Sequence, residues 1–389
     1  MGGNLTGTEK RRICCFCERW GSGGIESFLN NVLCHLDLSS LEIDIVAARL
    51  EASIFTEGLR QRGVRFYELS GAPQNVRKNR VEFLKLTKTR RYDVVHLNVF
   101  HGWSLRYAWL AKRAGVPVVI AHSHNTALRK SPARPLKLFI HALSKMVFSG
   151  CATDLWACSA PAAAFLFSSA ALRKKGFSFV PNGIDTRRFA FNRHIREELR
   201  EELNMDGAFV IGSVGRLCSQ KNQSFLLDVF RAVLHQEPDS RLLLVGDGED
   251  RAALQKKAER LGVLEKVIFY GTSASIEKLL WAMDVFAFPS KFEGLGIAAI
   301  EAQAAGLPVV MSEFVPEEAQ LAQSVQVVPL KKGPEQWADA LLSAARTPPE
   351  ARMAGAACVR EAGFDISDVA REIGMYYRRK NDEAEDDRP

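Results

Sequence analysis

Short runs of apolar and β-branched residues alternate along the chain with longer amphipathic segments. In the first half the short runs predict strands at Arg12–Cys17, Ile43–Ala47, Val64–Leu69, Asp93–Leu97, Pro117–Ala121, Asp154–Cys158 and Phe177–Val180. The longer segments repeat apolar residues at helical spacing and predict helices that include Ile25–Leu36, Val81–Arg90, Ser104–Ala114 and Leu136–Phe148. The first half therefore consists of successive strand–helix units.

The same alternation begins again in the second half. Strands are predicted at Phe209–Val214, Arg241–Val245, Lys266–Tyr270, Asp284–Phe288, Pro308–Met311 and Val325–Val328. Helices are predicted near Gln223–His235, Arg251–Leu261, Ile276–Met283 and Ile297–Ala305. Two such series predict an α/β protein of two doubly wound, Rossmann-like domains, each a parallel sheet with helices on both faces. Ligands of such sheets bind at the carboxyl ends of the strands.

Turn residues mark the boundary between the two series. Proline, asparagine and glycine follow a strand end at Val180–Asp185, where we place the boundary. We expect an N-terminal domain at 1–183, a C-terminal domain at 184–365 and a last helix at 366–380. The remaining tail, 381–389, carries five acidic residues and one arginine and is expected to be disordered.

Charge divides the chain unevenly. Residues 1–183 carry 26 Lys and Arg against 12 Asp and Glu, whereas residues 184–389 carry 26 against 33. A basic first half suits nucleic acid, an anionic membrane or a phosphorylated substrate. Neither zinc-finger spacing nor an aromatic-rich RNA signature accompanies it, so we expect no nucleic-acid partner. No apolar run approaches 18 residues and the N-terminus lacks a signal-peptide core, which favours a cytoplasmic protein.

Cysteine usage gives a weak indication of chemistry. Eight cysteines are scattered through predicted strands and helices, as expected for a reducing compartment. Cys14 and Cys17 form a C-x-x-C motif, but they lie on a strand, whereas a redox pair requires a helix N-terminus. We interpret them as small buried side chains rather than as redox groups or metal ligands.

The first candidate site is a glycine-rich turn between the first strand and the first helix, Trp20–Glu26. Gly23 and Gly24 allow backbone N–H groups to approach a phosphate, although glycines also serve simply to shape a turn. A dinucleotide fold would need G-x-G-x-x-G here and an acidic residue after the second strand. The spacing differs, and the second strand leads into Ala47–Arg49, so a dehydrogenase is disfavoured.

Three strand-to-helix turns of the second half carry the next candidates. Arg216 and Lys221 follow one strand, five positions apart, and can hold a diphosphate from two sides. Gly246 follows the next strand and lets the chain approach a ligand; the acidic residues beside it equally fit helix capping. Thr272 follows a third strand and could border a nucleobase.

A stretch with two glutamates eight positions apart follows the strand Asp284–Phe288. Glu293 lies in a glycine-rich turn, and Glu301 lies about two turns into the following helix. The N-terminus of that helix attracts an anion, and the carboxylates suit hydroxyl groups of the same ligand. A phosphate beside hydroxyl groups describes a nucleotide sugar.

Histidines follow two strands of the first half. In the turn His122–Asn125, imidazoles can donate to a phosphate or a sugar hydroxyl, and a metal site is the less favoured alternative because no carboxylate lies nearby. His96 is interpreted as a buried structural histidine, and His101 as a weak candidate. No D-x-D motif occurs, so the sequence predicts no metal and favours charge neutralisation by Arg216 and Lys221.

Together these motifs resemble the retaining glycosyltransferases of family 4, or group 1, which have the GT-B fold. The resemblance is carried by five motifs, namely Gly23-Gly24, His122-Ser123-His124, Val180–Asp185, Gly215-Arg216 with Lys221, and Glu293 to Glu301. It spans nearly the whole chain and looks closest to bacterial transferases of capsular and exopolysaccharide synthesis. It implies an acceptor domain at 1–183 and a nucleotide-sugar domain at 184–365 that face a central cleft, and a last helix at 366–380 that crosses back to the first domain.

The resemblance also implies residue roles. A UDP- or GDP-sugar would lie mainly on the C-terminal domain, with Arg216 and Lys221 on its diphosphate and Glu301 on its ribose. Glu293 would bind the donor sugar, and His124 would contact the sugar or a phosphate. The backbone would contribute through Gly23, Gly24, Gly294, Leu295, Gly296 and Ile297. The catalytic residues would be Glu293, His124, Arg216 and Lys221, transferring a hexose without a metal or other cofactor.

We do not interpret Glu293 and Glu301 as the acid–nucleophile pair of a glycosidase, since Glu301 is assigned to the ribose. The residues leave open whether the sugar is transferred by a same-face displacement or by a double displacement. The acceptor implied is a glycan, in particular a lipid-linked one. The alternatives are a GT-B nucleotide-sugar epimerase, which would not need a basic first domain, and a non-catalytic binding or scaffold protein, which would be expected to lose the charged residues.

The basic first half gains a meaning from the resemblance. Clusters at Arg77–Arg80, Lys85–Arg91 and Arg129–Lys137 would meet anionic headgroups, which predicts a protein peripheral on the inner face of the cell membrane. The helix Leu136–Phe148 has an apolar stripe beside a basic stretch. An inward-packed core helix is the favoured interpretation, and an interfacial membrane helix is the alternative.

Overall fold

A computed structural model describes residues 10–379, apart from 22, 71–74, 129–132 and 346–348. The chain forms two compact units, one of Met1–Gly183 with Ile366–Pro389 and one of Ile184–Asp365. The predicted acidic tail, 381–389, lies outside the described residues, as do Ser22, Arg129 and Lys130.

Strands and helices alternate through the first half. The strands are β1 Arg11–Cys17, β2 Leu41–Ala47, β3 Arg65–Glu68, β4 Val94–Val99, β5 Val118–Ser123, β6 Asp154–Ala157 and β7 Ser178–Phe179. The helices are α1 Gly24–His35, α2 Thr56–Gln61, α3 Val76–Arg90, α4 Arg106–Arg113, α5 Arg134–Phe148, α6 Ala160–Leu166 and α7 Ser169–Lys175. Short 3₁₀ helices lie at Gly102–Leu105 and Ser149–Cys151.

The second half repeats the alternation. Its strands are β8 Phe209–Val214, β9 Ser240–Val245, β10 Val267–Gly271, β11 Val285–Phe288, β12 Val309–Met311 and β13 Val325–Val327. Its helices are α8 Thr186–Phe189, α9 Arg193–Glu202, α10 Gln223–Gln236, α11 Arg251–Arg260, α12 Ile276–Ala282, α13 Ile297–Ala304, α14 Gly333–Ala344 and α15 Gly355–Val359. A last helix, α16 Ile366–Arg378, follows.

Each unit contains one parallel sheet, as the alternation predicts. The strand order is β3-β2-β1-β4-β5-β6-β7 in the first unit and β10-β9-β8-β11-β12-β13 in the second. In both sheets the first strand of the series is central and the order reverses beside it. Such a reversal opens a crevice at the carboxyl ends of the strands, where ligands bind.

Burial follows from this layering. β1 and β4 lie in the middle of the first sheet, and most of their side chains are fully buried, including the free thiols of Cys14 and Cys17. Burial raises the pKa of both thiols, which opposes a redox or metal-binding role. In the second unit the core includes Phe230 and Trp337, the latter from α14, which the sequence pattern did not predict.

The last helix belongs to the first unit although it follows the second in sequence. Its apolar side packs against α1 and β1, so Ile373 and Tyr377 join the core of that unit. Gly374 permits the close approach, because a Cβ there would lie 2.6 Å from Leu36 Cδ1.

Helix α5 contradicts the favoured interpretation of an inward-packed stripe. Its apolar side chains are exposed, from 38% for Ile140 to 71% for Met146, whereas His141 and Ser144 are buried. The polar side faces inward because its groups have partners: His141 receives the N–H of Gly102 and contacts the carbonyl oxygen of Phe165, each at 2.9 Å. Among the described residues, no helix has the length and apolar character needed to cross a bilayer.

Candidate active site

Three loops meet through their backbones at the carboxyl edge of the second sheet. The Gly246 N–H donates to the Gly271 carbonyl at 2.7 Å, and Gly215 N–H donates to the Val245 carbonyl at 2.9 Å. Gly246 has φ of +128°, and a Cβ on it would lie 2.1 Å from the Gly215 oxygen. Only glycine satisfies both conditions. The fold therefore requires a glycine at position 246 whether or not a ligand binds there.

A partly buried ion pair joins two of the predicted site residues. Lys221 Nζ lies 2.8 Å from Glu293 Oε1, and the two side chains are only 19% and 8% exposed. The ammonium also lies 4.7 Å from the centroid of the Phe288 ring. Removing one member would leave the other charge with little solvent, which makes the pair costly to break.

Gln220 holds the two loops of this pair together, a role that the sequence pattern did not indicate. Its side-chain Nε2 donates to the Phe292 carbonyl at 2.9 Å, and its own carbonyl accepts from Lys291 N–H at 2.8 Å. A single glutamine in a loop carries no pattern that sequence reasoning could use. The two bonds fix the distance between the loops that contain Lys221 and Glu293.

Arg216 points to an exposed carboxylate. Its Nε lies 2.8 Å from Glu249 Oε2, with both side chains more than half exposed at 58% and 50%. An exposed pair of this kind contributes little stability, so Arg216 can exchange Glu249 for a phosphate. Thr272, predicted to border a base, lies exposed after β10.

The glycine-rich turn ends at the start of α13. Gly296 is its N-cap with φ of +96°, and no side chain caps the helix. Leu295 is buried, whereas Gly294 and Ile297 are partly exposed. The first turn of α13 therefore presents backbone N–H groups and the positive end of a helix dipole without a capping side chain.

Glu301 lies one turn further along α13. Burial raises its pKa to about 7, while Arg188 and Lys221 oppose the rise and Glu277 adds to it. Arg188 donates to Glu277 Oε2 at 2.9 Å and is thereby held beside α13. A carboxylate half-ionised near neutral pH is an unusual group on a helix, and such groups concentrate at functional sites.

In the first unit, the glycine-rich turn after β1 contains its own carboxylate. Glu26 at the third position of α1 receives backbone N–H groups of Gly21 and Gly23. Burial nevertheless raises its pKa. A Cβ on Gly23 would lie 2.7 Å from Glu26 Oε2, whereas one on Gly24 would meet nothing within 4 Å. Of the two N–H groups that the sequence assigns to a phosphate, that of Gly23 is thus occupied by a glutamate, as in a capping box.

His124 is neutral and held by a neighbouring strand. Its Nε2 lies 2.9 Å from Asn98 Oδ1, and burial lowers its pKa to about 3. Since Asn98 Oδ1 can only accept, the Nε2 carries the proton and Nδ1 is an acceptor. The Nδ1 of His124 is buried, and the neutral ring brings no positive charge to a phosphate.

The structure confirms that His96 is a buried structural histidine. It is fully buried, with Tyr377 Oη 2.6 Å from its Nδ1 and His122 Nδ1 3.1 Å from its Nε2. Burial lowers the pKa of His96 to about 3. The weak candidate His101 lies 3.4 Å from Glu18 Oε2. No cluster of three or more His, Cys, Asp or Glu able to hold a metal occurs among the residues described.

The predicted residues thus fall into two groups, one in each unit. Those of the second unit share the carboxyl edge of its sheet and the adjoining helix α13: Arg216, Lys221, Gly246, Thr272, Glu293, Gly294, Leu295, Gly296, Ile297 and Glu301. Gly23, Gly24 and His124 follow β1 and β5 at the carboxyl edge of the first sheet.

Comparison with known proteins finds two family models, one on each half. Residues 22–188 match "Glycosyltransferase Family 4" and residues 195–357 match "Glycosyl transferases group 1". EpsF of Bacillus subtilis (strain 168), described as a glycosyltransferase, is 27% identical over 87% of this chain and 88% of its own. An Escherichia coli UDP-Gal:α-D-GlcNAc-diphosphoundecaprenol α-1,3-galactosyltransferase is 29% identical over 61% of this chain and 62% of its own.

Solved structures share the fold along nearly the whole chain. Anabaena HepE in complex with UDP superimposes with a TM-score of 0.73 at 19% identity, covering 94% of this chain and 99% of that one. WaaG, a glycosyltransferase of lipopolysaccharide biosynthesis, gives 0.69 at 15% identity, covering 95% and 100%. The fold is GT-B, as the sequence predicts.

Proposed function

The chain belongs to the family 4, or group 1, glycosyltransferases and uses a nucleotide-sugar donor, and we propose that it moves a hexose, with retention of configuration, from a UDP- or GDP-sugar to a lipid-linked glycan of polysaccharide synthesis. The relative named for transfer from UDP-Gal to a diphosphoundecaprenol-linked GlcNAc supports this donor and acceptor chemistry. The proposed reaction needs no metal.

The Lys221–Glu293 pair at the start of α13 is the observation that carries the proposal. A departing nucleoside diphosphate gains negative charge, which Lys221, Arg216 and the N-terminus of α13 would stabilise. Glu293, already oriented by the lysine, would accept from hydroxyls of the donor sugar. Glu301 would accept from the ribose hydroxyls in its ionised form.

Bond changes in the proposed reaction are simple. An acceptor hydroxyl oxygen forms a bond to the anomeric carbon as the bond from that carbon to the diphosphate oxygen breaks. The acceptor proton then goes to the leaving phosphate. Because Glu293 is engaged by Lys221, the proposal assigns it no role as a general acid. His124, which burial keeps neutral, would contact a sugar rather than a phosphate.

A nucleotide-release assay tests the proposal. UDP- and GDP-sugars are supplied one at a time with bacterial membrane lipid extract and EDTA, and free nucleotide and the anomeric configuration of the product are measured. Lys221→Ala and Glu293→Ala should each lower the rate of release about 100-fold or more, whereas Lys331→Ala, at an exposed lysine of the same unit, should not. An epimerised sugar without transfer would instead favour the epimerase, and binding without turnover the scaffold protein.

The exposed side of α5 supports the proposed membrane partner. It presents apolar side chains on a helix that also carries Arg134 and Lys137, within a half of the chain that is strongly basic. The side chains concerned are Leu136, Leu138, Phe139, Ile140, Leu143, Met146 and Val147. An apolar surface bordered by cations suits the interface of an anionic bilayer, where a lipid-linked acceptor would be found.

Sedimentation with vesicles tests this partner separately. We expect the protein to bind phosphatidylglycerol-containing vesicles, and to bind more weakly at high salt because basic residues contribute. Phe139→Asp should reduce binding without loss of folding, since Phe139 is 67% exposed. Met353→Asp, at a residue 68% exposed in the other unit, is the matched control. Equal loss in both variants, or no binding by the wild type, would exclude α5 as a membrane contact.

A further inference from the structure

A chain of buried polar side chains runs from the last helix to His124, the only one of its members in the candidate active site. Tyr377 of α16 is 1% exposed, and its Oη lies 2.6 Å from His96 Nδ1. His96 Nε2 lies 3.1 Å from His122 Nδ1. The ring of His122 lies against that of His124, with the ring centroids 4.0 Å apart. These contacts connect α16 to His124 through two neighbouring strands, β4 and β5.

The imidazoles of this chain are neutral, so the partner of one ring nitrogen decides which nitrogen carries the proton. Burial lowers the pKa of His96 and His124 to about 3, and that of His122 well below its ordinary value. The Tyr377 hydroxyl has two neighbours, the His96 nitrogen at 2.6 Å and the Cys15 thiol at 4.0 Å. It donates to the nitrogen, which is closer and is the stronger acceptor. The proton of His96 therefore lies on Nε2.

The same direction of donation continues into the next ring. His96 Nε2–H donates to His122 Nδ1, so the proton of His122 also lies on Nε2. The backbone of Val180 opposes the fall in the pKa of His122, as a carbonyl oxygen near this N–H would do. Without the Tyr377 hydroxyl, neither tautomer of His96 would have that partner at Nδ1. The hydroxyl therefore selects one of the two possible directions of the chain.

A second set of contacts joins His96 to His124. His124 Nε2 donates to Asn98 Oδ1 at 2.9 Å, and Asn98 Nδ2 donates to the backbone carbonyl of His96 at 3.4 Å. The Phe28 ring of α1 lies 5.1 Å from the ring of His122 and 4.9 Å from that of His124. Close packing transmits a displacement of one ring to its neighbours. The orientation of His124 therefore depends on His96 and His122.

We propose that Tyr377 is a positioning residue of the transfer reaction, an inference that rests on the proposed function. Its hydroxyl selects the tautomers of His96 and His122, and these two rings hold His124 in the orientation that meets the sugar. Because Tyr377 is buried, it acts through the histidines and not by contact with the substrate. The last helix thereby contributes to the site of the first unit.

The imidazole nitrogens report on this chain without any substrate. Full-length protein labelled with ¹⁵N-histidine is studied by long-range ¹H–¹⁵N NMR, and the three signals are assigned with His96→Gln, His122→Gln and His124→Gln. In the wild type, His96 and His122 should each show the Nε2–H tautomer. In Tyr377→Phe both should lose this single tautomer, and the nitrogen signals of His124 should shift.

Tyr92→Phe is the matched control. Tyr92 is also a buried tyrosine of the first unit, and its hydroxyl donates to Asp44 Oδ2 at 2.8 Å rather than to a histidine. This variant should lose stability but keep the histidine signals of the wild type. At a temperature where both variants are folded, Tyr377→Phe should lower kcat of transfer about tenfold, because a displaced catalytic group slows the reaction. Tyr92→Phe should leave kcat unchanged.

Two outcomes overturn the inference: the His124 signals are the same in Tyr377→Phe and in the wild type, or the two tyrosine variants change kcat equally. Failure of the proposed function is seen separately, as absence of turnover of every nucleotide sugar by the wild type. In that case the transferase is refuted, whereas shifted His124 signals in Tyr377→Phe would still assign the orientation of His124 to Tyr377.

Discussion

Replacing Glu301 by glutamine should make the stability of the protein depend less on pH. Burial raises the pKa of Glu301 from 4.5 to about 7. Between these values the folded protein keeps a proton that the unfolded chain releases, so the wild type loses stability as pH rises. At 1.36 kcal/mol per unit, the full loss is about 3 kcal/mol above pH 7. Glutamine is neutral at every pH, so the Glu301→Gln variant does not lose this stability.

Denaturant titrations of both proteins at about pH 5 and about pH 8 measure the difference. We expect the free energy of unfolding of Glu301→Gln, relative to the wild type, to increase by up to about 3 kcal/mol between the two pH values. Glu335→Gln, at an exposed glutamate of the same unit, should show no such increase. A difference that does not change with pH would refute the raised pKa of Glu301.

Three further outcomes are expected. Lys221→Ala should lower the rate of nucleotide release about 100-fold or more, whereas Lys221→Arg should retain part of it; equal loss in both would contradict a charge role. Gly246→Ala should destabilise the protein by about 2 kcal/mol or more in thermal unfolding, because a Cβ would lie 2.1 Å from a backbone oxygen, while Gly24→Ala should not. Tyr377→Phe should cost about 1–3 kcal/mol of unfolding free energy, since it leaves the buried Nδ1 of His96 without the Tyr377 hydroxyl; an unchanged stability would show that the bond is not needed.

The fold could be predicted because its pattern is local. The inner strands of each sheet are buried on both faces and are therefore short apolar runs, such as β8 and β9. Edge elements were predicted less well. β7 spans only Ser178–Phe179, where the sequence suggested Phe177–Val180, because an exposed edge strand lacks the burial that would extend the pattern.

Helix α5 shows what periodicity cannot decide. The apolar stripe predicts a helix with two different sides, but the same stripe results whether the apolar side faces the core or the exterior. The decision depends on distant groups, the Gly102 N–H and the Phe165 carbonyl, which satisfy His141 on the inward side. No local pattern carries that information.

The candidate site was also predictable only in part, since its residues could be located from the sequence but their contacts could not. Strand ends and glycines located Arg216 and Lys221 as one candidate loop and Glu293 as another. Their partners were not accessible to sequence reasoning, since Lys221 and Glu293 are 72 residues apart and Arg216 and Glu249 are 33 apart. The raised pKa of Glu301 likewise depends on burial and on three charges brought together by the fold.

Calorimetric titration with UDP and with GDP, in EDTA, tests the central claim most directly, because it asks whether the second unit holds a nucleotide diphosphate through its own charges. One of the two nucleotides should bind without metal, and Lys221→Ala should weaken that binding about tenfold or more. Absence of binding by both nucleotides, a strict requirement for a divalent metal, or unchanged affinity in Lys221→Ala would contradict the account.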